Sequence, residues 1–326
     1  MSRDWKDISV LIAGVGSIGK RHTTCLQELG VKDIRACDVN EKLLAQYAAD
    51  YPGVKTYTSF EEGLADKPDA VFILTPPKLH IPMAIQALEA GCHVLSEKPL
   101  SDRIAGVEKL KETLERTGKK FMVALCFRYH DGVRKAKEIL DSGRSGRIVS
   151  VRAMMGEHLP DVRPDYKDLF SSKYSGAFDL MHDIDLALWF AGQPVKGLKA
   201  LYGNYSDIGI EAPDLVELLI DMEGPTVATV HLDFFQKPRR RELELMGTKG
   251  FIRLEFGSWD YYRLTVADDV KEPEVITAPT VRNDMFKAED QEFLQAVAED
   301  KEIVCTMEEA MLSLSVVEQA QAKAEN

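Results

Sequence analysis

Residues 8–19 read Ile-Ser-Val-Leu-Ile-Ala-Gly-Val-Gly-Ser-Ile-Gly, and this stretch decides the fold of the first half of the chain. Its first part, Ile8–Ala13, is an apolar run without a polar face, which is typical of a buried strand in a parallel sheet. Three glycines then follow in the spacing GxGxxG, namely Gly14, Gly16 and Gly19. A helix is predicted next, over Ile18–Leu29, and ends at Gly30.

Each glycine of this loop has a predicted physical role. The first permits a tight turn, the second lets a pyrophosphate approach the backbone, and the third lets the helix pack on the strand. Ser17 and Ile18 open the helix, where free N–H groups and the helix dipole attract phosphate. Asp38, 19 residues after Gly19, ends the second predicted strand, where an acid binds a ribose 2′-hydroxyl and repels a 2′-phosphate. NAD is therefore expected rather than NADP; the simpler alternative is a tight turn with a helix N-cap.

The chain divides into two predicted domains. Strands and helices alternate strictly up to about residue 127, which predicts a doubly wound parallel sheet, the Rossmann architecture, over residues 1–127. Residues 128–326 instead carry a run of strand candidates, which predicts an α+β domain with a largely antiparallel open sheet. One apolar helix, over about Phe178–Ala191, interrupts these strands, and the basic run Lys237–Arg241 is predicted to be a solvated turn between two of them.

Composition excludes several classes of function. The 326 residues carry a formal net charge of −12, which argues against a nucleic-acid partner. No stretch is long and apolar enough to span a membrane, and no secretory signal is recognisable, so a cytoplasmic protein is expected. The five cysteines are odd in number and have no metal-ligand spacing. They are interpreted as reduced core residues, and no metal site is expected.

Two further segments carry candidate chemistry. Glu97, Lys98 and Pro99 follow the fifth predicted strand, at the sheet edge where ligands bind, and a lysine there can orient a hydroxyl or stabilise an alkoxide. The alternative is a surface lysine before a proline turn. In the second domain, Asp179 and His182 lie on the helix that is predicted to be buried, where acids and an imidazole are costly unless they are paired or functional. The alternative is that the acids favour the helix N-terminus and that His182 is a satisfied core residue.

At this point the sequence resembles the Gfo/Idh/MocA oxidoreductases over essentially its whole length. The resemblance rests on the segments GVGSIG (14–19), TPPKLH (75–80), SEKPL (96–100), SGRSGRIVSV (142–151), GAFDLMHDIDLALWFAG (176–192), ELMGTKG (244–250) and MEEAMLSLSVVEQA (307–320). Asp179 precedes His182 by three positions, whereas many members have four. A subgroup with a DLSHELD-like segment has the shorter spacing.

The resemblance implies roles for individual residues. Lys98, His182 and Asp179 correspond to the catalytic residues, with His182 exchanging a proton with the substrate hydroxyl. Besides the glycine loop and Asp38, the implied cofactor-binding residues are Thr75, Pro76, His80, Glu97, Lys98 and Arg128. The implied substrate-binding residues are Lys98, Tyr129, Asp179 and His182, and the loop residues His158, Arg163, Tyr166 and Tyr174 are further candidates for contact with substrate.

The function implied is hydride transfer between NAD(H) and a secondary alcohol or ketone of a sugar, cyclitol or sugar derivative. Two alternatives remain at this point: a non-catalytic regulator that senses dinucleotide, and a redox-neutral NAD-dependent glycosidase. By analogy, a homodimer or homotetramer is expected to form through the C-terminal sheet.

Overall fold

The computed structural model describes residues 3–170, 176–268 and 272–324. By packing, the chain forms two compact units. The first unit combines Met1–Cys126 with Asn283–Leu314, and the second combines Phe127–Arg282 with Ser315–Asn326. The division after Cys126 lies one residue from the expected boundary. The C-terminal segment differs from the expectation, because its first part packs with the N-terminal unit.

The first unit contains a six-stranded sheet in the order β3-β2-β1-β4-β5-β6, with every pair parallel. This order is that of the doubly wound Rossmann fold, so the predicted fold class is confirmed. The central strands β1 and β4 are buried at every position because helices cover both faces. The six strands are β1 Val10–Ala13, β2 Ile34–Cys37, β3 Lys55–Tyr57, β4 Ala70–Ile73, β5 His93–Glu97 and β6 Phe121–Ala124.

The helices between these strands are α1 Ser17–Leu29, α2 Glu41–Asp50, α3 Phe60–Ala65, α4 His80–Glu89 and α5 Val107–Thr117. The short helix α3 was not predicted, although Ser59 caps it by accepting a bond from the Glu62 N–H. Helix α5 begins only at Val107, ten residues after the end of β5. Gly106 precedes the helix with φ +93°, a conformation that L side chains rarely adopt and that a helix cannot continue through.

The second unit contains an eight-stranded sheet in the order β14-β13-β12-β11-β7-β10-β9-β8. All neighbours are antiparallel except β7 and β10, which confirms the largely antiparallel open sheet. The strands are β7 Ile148–His158, β8 Val195–Gly203, β9 Leu215–Met222, β10 Val227–Asp233, β11 Phe235–Gly247, β12 Gly250–Phe256, β13 Tyr261–Asp268 and β14 Glu274–Pro279. The helices of this part are α6 Asp131–Asp141, α7 Leu159–Val162, α8 Tyr166–Leu169 and α9 His182–Ala191, and α10 Arg282–Glu299 and α11 Met307–Ala324 end the chain.

Two predictions for the second unit were wrong. The basic run Lys237–Arg241 is not a solvated turn, because it lies inside β11 and Arg241 is buried there. The helix expected over Phe178–Ala191 is not continuous. A 3₁₀ helix spans Gly176–Leu180, and α9 begins only at His182. Among the described residues, no helix combines the length and the apolar character that crossing a bilayer would require.

Candidate functional site

The parallel sheet of the first unit brings the predicted cofactor residues to one edge. Because all six strands run in the same direction, their carboxyl ends share an edge, and ligands of doubly wound sheets bind there. Gly14 follows β1, Asp38 follows β2, Thr75 lies two residues after β4, and Lys98 follows β5 directly. Residues that are far apart in sequence are thereby collected along one side of the sheet.

The three glycines of the loop differ in what surrounds them. Gly14 has φ +98°, and a Cβ there would lie 2.7 Å from the Leu74 carbonyl oxygen. A Cβ on Gly19 would lie 2.1 Å from the Gly14 carbonyl oxygen. Both glycines are therefore required by the packing of the chain itself. A Cβ on Gly16, by contrast, would meet nothing within 4 Å, so packing does not explain why this position is a glycine.

The open space at Gly16 fits a dinucleotide pyrophosphate. Gly16 is the N-cap of α1 and no side chain caps the helix, so the first turn, which starts at Ser17 and Ile18, offers its N–H groups. Asp38 steadies the same loop, because its carboxylate accepts bonds from the Val15 N–H at 3.0 Å and the Asn40 N–H at 2.8 Å. Each carboxylate oxygen retains a further lone pair for a ribose hydroxyl.

His80 links two loops at this edge. The residue is 1% exposed, its Nδ1 lies 2.7 Å from the Pro99 carbonyl oxygen, and its Nε2 lies 2.7 Å from the Thr75 carbonyl oxygen. Burial lowers the pKa of His80, and the two carbonyls oppose that shift. Both ring nitrogens thus face backbone carbonyl oxygens, and the protonated nitrogen donates to its carbonyl, so His80 acts on this edge by linking the Thr75-Pro76 loop and the loop after β5.

Lys98 is half-buried and follows Glu97 at the end of β5. The Glu97 side chain is 9% exposed, and its carboxylate accepts a bond of 2.7 Å from the backbone N–H of Lys98. A cis peptide bond joins Lys98 to Pro99. Glu97 therefore holds the backbone from which the lysine side chain extends, which is a positioning role.

A buried cluster that sequence reasoning missed lies between α1 and α10 in the first unit. His22, Glu289 and Asp290 are each 0% exposed, and one ligand-type atom from each lies within 4.8 Å of the others. His22 Nδ1 is 2.7 Å from an Asp290 oxygen, while both Glu289 carboxylate oxygens lack a hydrogen-bond partner. Burial raises the pKa of Glu289 well above its ordinary value. Adjacent acids inside an otherwise amphipathic α10 were the only sequence signal for this cluster.

In the second unit Asp179 and His182 belong to two successive helical segments. Asp179 lies exposed in the 3₁₀ helix, whereas His182 is half-buried and is the first residue of α9. The His182 ring packs against the Phe127 ring, with centroids 4.9 Å apart. The helical segment thus changes from a 3₁₀ helix to an α-helix at Met181, between the two residues.

Two buried ion pairs fix the start of α9. Asp183 accepts two bonds from Arg241, at 2.9 and 2.7 Å, and Asp185 accepts two from Arg128, at 2.9 and 2.7 Å. All four side chains are at most 6% exposed. The Arg241 guanidinium also lies 3.4 Å from the centroid of the Phe127 ring. Such bidentate pairs define one geometry, so they orient the turn that carries His182.

The other predicted substrate residues have separate contacts. Tyr129 is buried and its ring lies 4.9 Å from the Arg134 guanidinium. His158 Nδ1 is 2.9 Å from an Asp161 carboxylate oxygen. The Tyr166 hydroxyl donates to the Ile208 carbonyl at 2.9 Å. Arg163 is exposed, and Tyr174 lies outside the described residues.

The five cysteines are free and buried. Burial is the first cause of the raised thiol pKa values, which reach about 12 for Cys25 and Cys37 and about 11 for Cys92. A thiol with such a pKa is a poor nucleophile at neutral pH, so these three side chains serve as core residues.

Comparison with known proteins assigns both halves of the chain to one family. Residues 8–125 match the family described as "Oxidoreductase family, NAD-binding Rossmann fold", and residues 133–253 match the GFO/IDH/MocA C-terminal domain. The chain is 30% identical over 295 residues to an uncharacterized oxidoreductase of Rhizobium meliloti, covering 86% of each chain. It is 25% identical over 237 residues to inositol 2-dehydrogenase of Corynebacterium glutamicum, covering 70% of this chain and 67% of that enzyme.

A solved structure extends the match over the whole fold. Myo-inositol 2-dehydrogenase from Lactobacillus plantarum has a TM-score of 0.83 and 28% identity to this chain, and the alignment covers 98% of this chain and 97% of that one. Both domains therefore have their counterpart in this family. The chain belongs to the Gfo/Idh/MocA family and is an NAD-dependent oxidoreductase, a dehydrogenase that acts on CH–OH groups.

Proposed function

We propose that this dehydrogenase oxidises a secondary alcohol of a cyclitol, sugar or sugar derivative to the ketone, with Lys98 and His182 as its catalytic residues. The observation that carries the proposal is the edge of the parallel sheet, where the glycine loop, Asp38 and Lys98 all follow strand ends. The relatives named inositol 2-dehydrogenase support the substrate class.

Bound NAD would supply a hydride acceptor. The Gly14–Gly19 loop would hold its pyrophosphate, since the space at Gly16 is open and α1 has no side-chain cap. Asp38 would bind the adenosine ribose and disfavour a 2′-phosphate through charge repulsion. The Thr75-Pro76 loop and Glu97 would shape the remaining cofactor contacts through the backbone that His80 and Glu97 fix.

The catalytic residues divide the proton chemistry. The Lys98 ammonium donates a hydrogen bond to the substrate oxygen and stabilises the negative charge that develops as its proton leaves. His182 takes that proton on its imidazole, the side chain that most often acts as a general base. Arg241 and Asp183 hold the helix turn that carries His182, and Asp179, exposed one turn earlier, is the acid available to the imidazolium.

The experiment is NADH formation, followed by absorbance, over a panel of inositols, aldoses, uronates and nucleotide sugars. We expect at least one class to be oxidised with NAD, at a rate well above that with NADP. A panel without NADH formation, despite tight NAD binding, would contradict the dehydrogenase proposal and favour a non-catalytic sensor.

The outer face of the eight-stranded sheet is the proposed oligomer contact, giving a homodimer or homotetramer. Register places Leu219, Arg152 and Glu244 on one face, and the apolar side chains there include Leu201 at 55%, Leu219 at 46% and Met246 at 40% exposed. Light scattering should give two or four chains, and Leu219→Asp should lower that number. A monomer at micromolar concentration would contradict this proposal.

The free cysteines support a reducing compartment, and we place the protein in the cytoplasm.

A further inference from the structure

Polar atoms without partners are concentrated at one buried place in the first unit. His22 in α1 and the adjacent acids Glu289 and Asp290 in α10 are each 0% exposed. Both Glu289 oxygens, Asp290 Oδ2 and His22 Nε2 have no hydrogen-bond partner among the described residues. Buried polar groups in native proteins are almost always paired, so four such atoms in one place point to a ligand that binds there.

The three side chains have the geometry of a small metal site. One ligand-type atom from each residue lies within 4.8 Å of the others. Ligand atoms around a four-coordinate zinc ion, with bonds of about 2.0 to 2.2 Å, are roughly 3.5 Å apart, so closing on an ion needs side-chain shifts of about 1 Å. Both Glu289 oxygens are unpaired, so a bidentate Glu289 brings the donor atoms to four, the usual number for zinc.

The charges around the cluster favour a cation. Two carboxylates and a neutral imidazole carry two negative charges, which a divalent ion would cancel inside the protein. Glu97, at the end of β5, acts on both His22 and Glu289 as a further negative charge. Arg21 is a nearby cation, but its guanidinium donates a bond of 2.7 Å to the Asn283 side chain. A bound ion would therefore supply compensation where the buried acids need it.

Aromatic rings close the site around the imidazole. The Phe72 and Phe286 rings meet the His22 ring edge-on, with centroids 5.7 and 5.6 Å away. Since the three ligands are also fully buried, no open position remains for a substrate. Metal sites that are closed in this way are structural rather than catalytic.

We propose that His22, Glu289 and Asp290 bind one structural divalent transition-metal ion, with zinc as the expected metal, which joins α1 to α10. An imidazole with two carboxylates suits zinc better than magnesium or calcium, which prefer oxygen ligands. The proposal departs from the sequence-based expectation of no metal site, because these ligands are brought together only by the fold. It concerns the stability of the first unit and does not depend on the dehydrogenase proposal.

A second group of the same composition provides a matched control. His231 Nδ1 lies 2.5 Å from a Glu217 oxygen and His231 Nε2 lies 2.9 Å from an Asp233 oxygen. Hydrogen bonding to Asp233 raises the pKa of His231 to about 9, so the ring is protonated at neutral pH and donates from both nitrogens. His231→Gln should therefore cost stability without changing the zinc content, which separates the loss of metal from a general loss of stability.

The test measures zinc by elemental analysis in protein made without an affinity tag in zinc-supplemented cultures and washed with EDTA. Wild type and His231→Gln should each hold about one zinc per chain, and the isosteric Glu289→Gln less than about 0.2. Zinc-loaded wild type should have a Tm about 5 to 10 °C above wild type refolded with chelator. Glu289→Gln should show no such difference, and after refolding with chelator it should be no less stable than wild type.

Three results would overturn the inference: less than about 0.2 zinc per chain in wild type, equal zinc in wild type and Glu289→Gln, or an equal loss of zinc in His231→Gln. The first would leave a protonated Glu289 beside His22. If Glu289→Gln does not fold, zinc-edge X-ray absorption of wild type decides. Imidazole and oxygen neighbours support the site, whereas sulfur neighbours would assign the ion to the cysteines and contradict it.

Discussion

Two glycine substitutions in one loop should have opposite consequences. In Gly19→Ala the new Cβ would lie 2.1 Å from the Gly14 carbonyl oxygen, inside any normal contact, so strand and helix must separate. Overpacking of this kind costs about 3 kcal/mol or more, which for a domain of this size lowers Tm by roughly 6 to 12 °C. In Gly16→Ala the Cβ meets nothing within 4 Å, and φ of −67° suits alanine. The Tm without cofactor should therefore change by less than about 2 °C.

For NAD affinity the two variants should rank in the opposite order, with the larger loss in Gly16→Ala. The Gly16 methyl group fills the space assigned to the pyrophosphate, and the loss of about 2 kcal/mol of charged hydrogen bonding weakens NAD binding about 30-fold. The assay is NAD titration by calorimetry together with thermal unfolding of both variants without cofactor. Wild-type NAD affinity in Gly16→Ala would refute the assignment of this loop to the pyrophosphate, and a wild-type Tm in Gly19→Ala would refute the packing argument.

Three further predictions concern buried and paired charges. Burial raises the pKa of the Glu289 carboxyl, so the free energy of unfolding falls as the pH rises above the pKa of an ordinary glutamate. Glu289→Gln should therefore be more stable than wild type at pH 8 and about equally stable near pH 4.5. A variant that is less stable than wild type at pH 8 would instead indicate a charged carboxylate with a compensating partner. Hydrogen bonding to Asp233 raises the pKa of His231 to about 9. In urea unfolding, His231→Gln should therefore lower the free energy of unfolding by about 1 to 2 kcal/mol at pH 7 and leave it unchanged at pH 10. An equal decrease at both pH values would contradict the pairing. Asp183→Asn leaves Arg241 buried without a counter-charge and should cost about 3 to 5 kcal/mol in the same assay, whereas a loss below 1 kcal/mol would show that Arg241 is solvated.

The sequence predicted the Rossmann half well because its signals are local. The run Ile8–Ala13, the glycine spacing and Asp38 each specify their own segment, and the structure has a strand, a turn and a strand end there. The predicted first helix, Ile18–Leu29, also differs from α1 by only one residue, at its start.

The second half shows where local reasoning stops. In the sequence, Arg241 is predicted to belong to a charged turn. In the structure, it bonds to Asp183, which lies 58 positions earlier in the chain. The buried cluster of His22 with Asp290 joins residues 268 positions apart, and no period or motif signals such a pair. The break before His182 likewise depends on packing that no propensity encodes. These pairs form between residues that are distant in sequence, and only the folded chain brings such residues together.

The central claim is that Lys98 and His182 carry the chemistry of an NAD-dependent dehydrogenase. The direct measurement is kcat with the best substrate of the panel for Lys98→Ala and His182→Ala, with the NAD dissociation constant and Tm measured on the same preparations. The account predicts that kcat falls by about 100-fold or more in each variant, while Tm stays near the wild-type value and the His182 variant keeps wild-type NAD affinity. Wild-type turnover in both variants would contradict it.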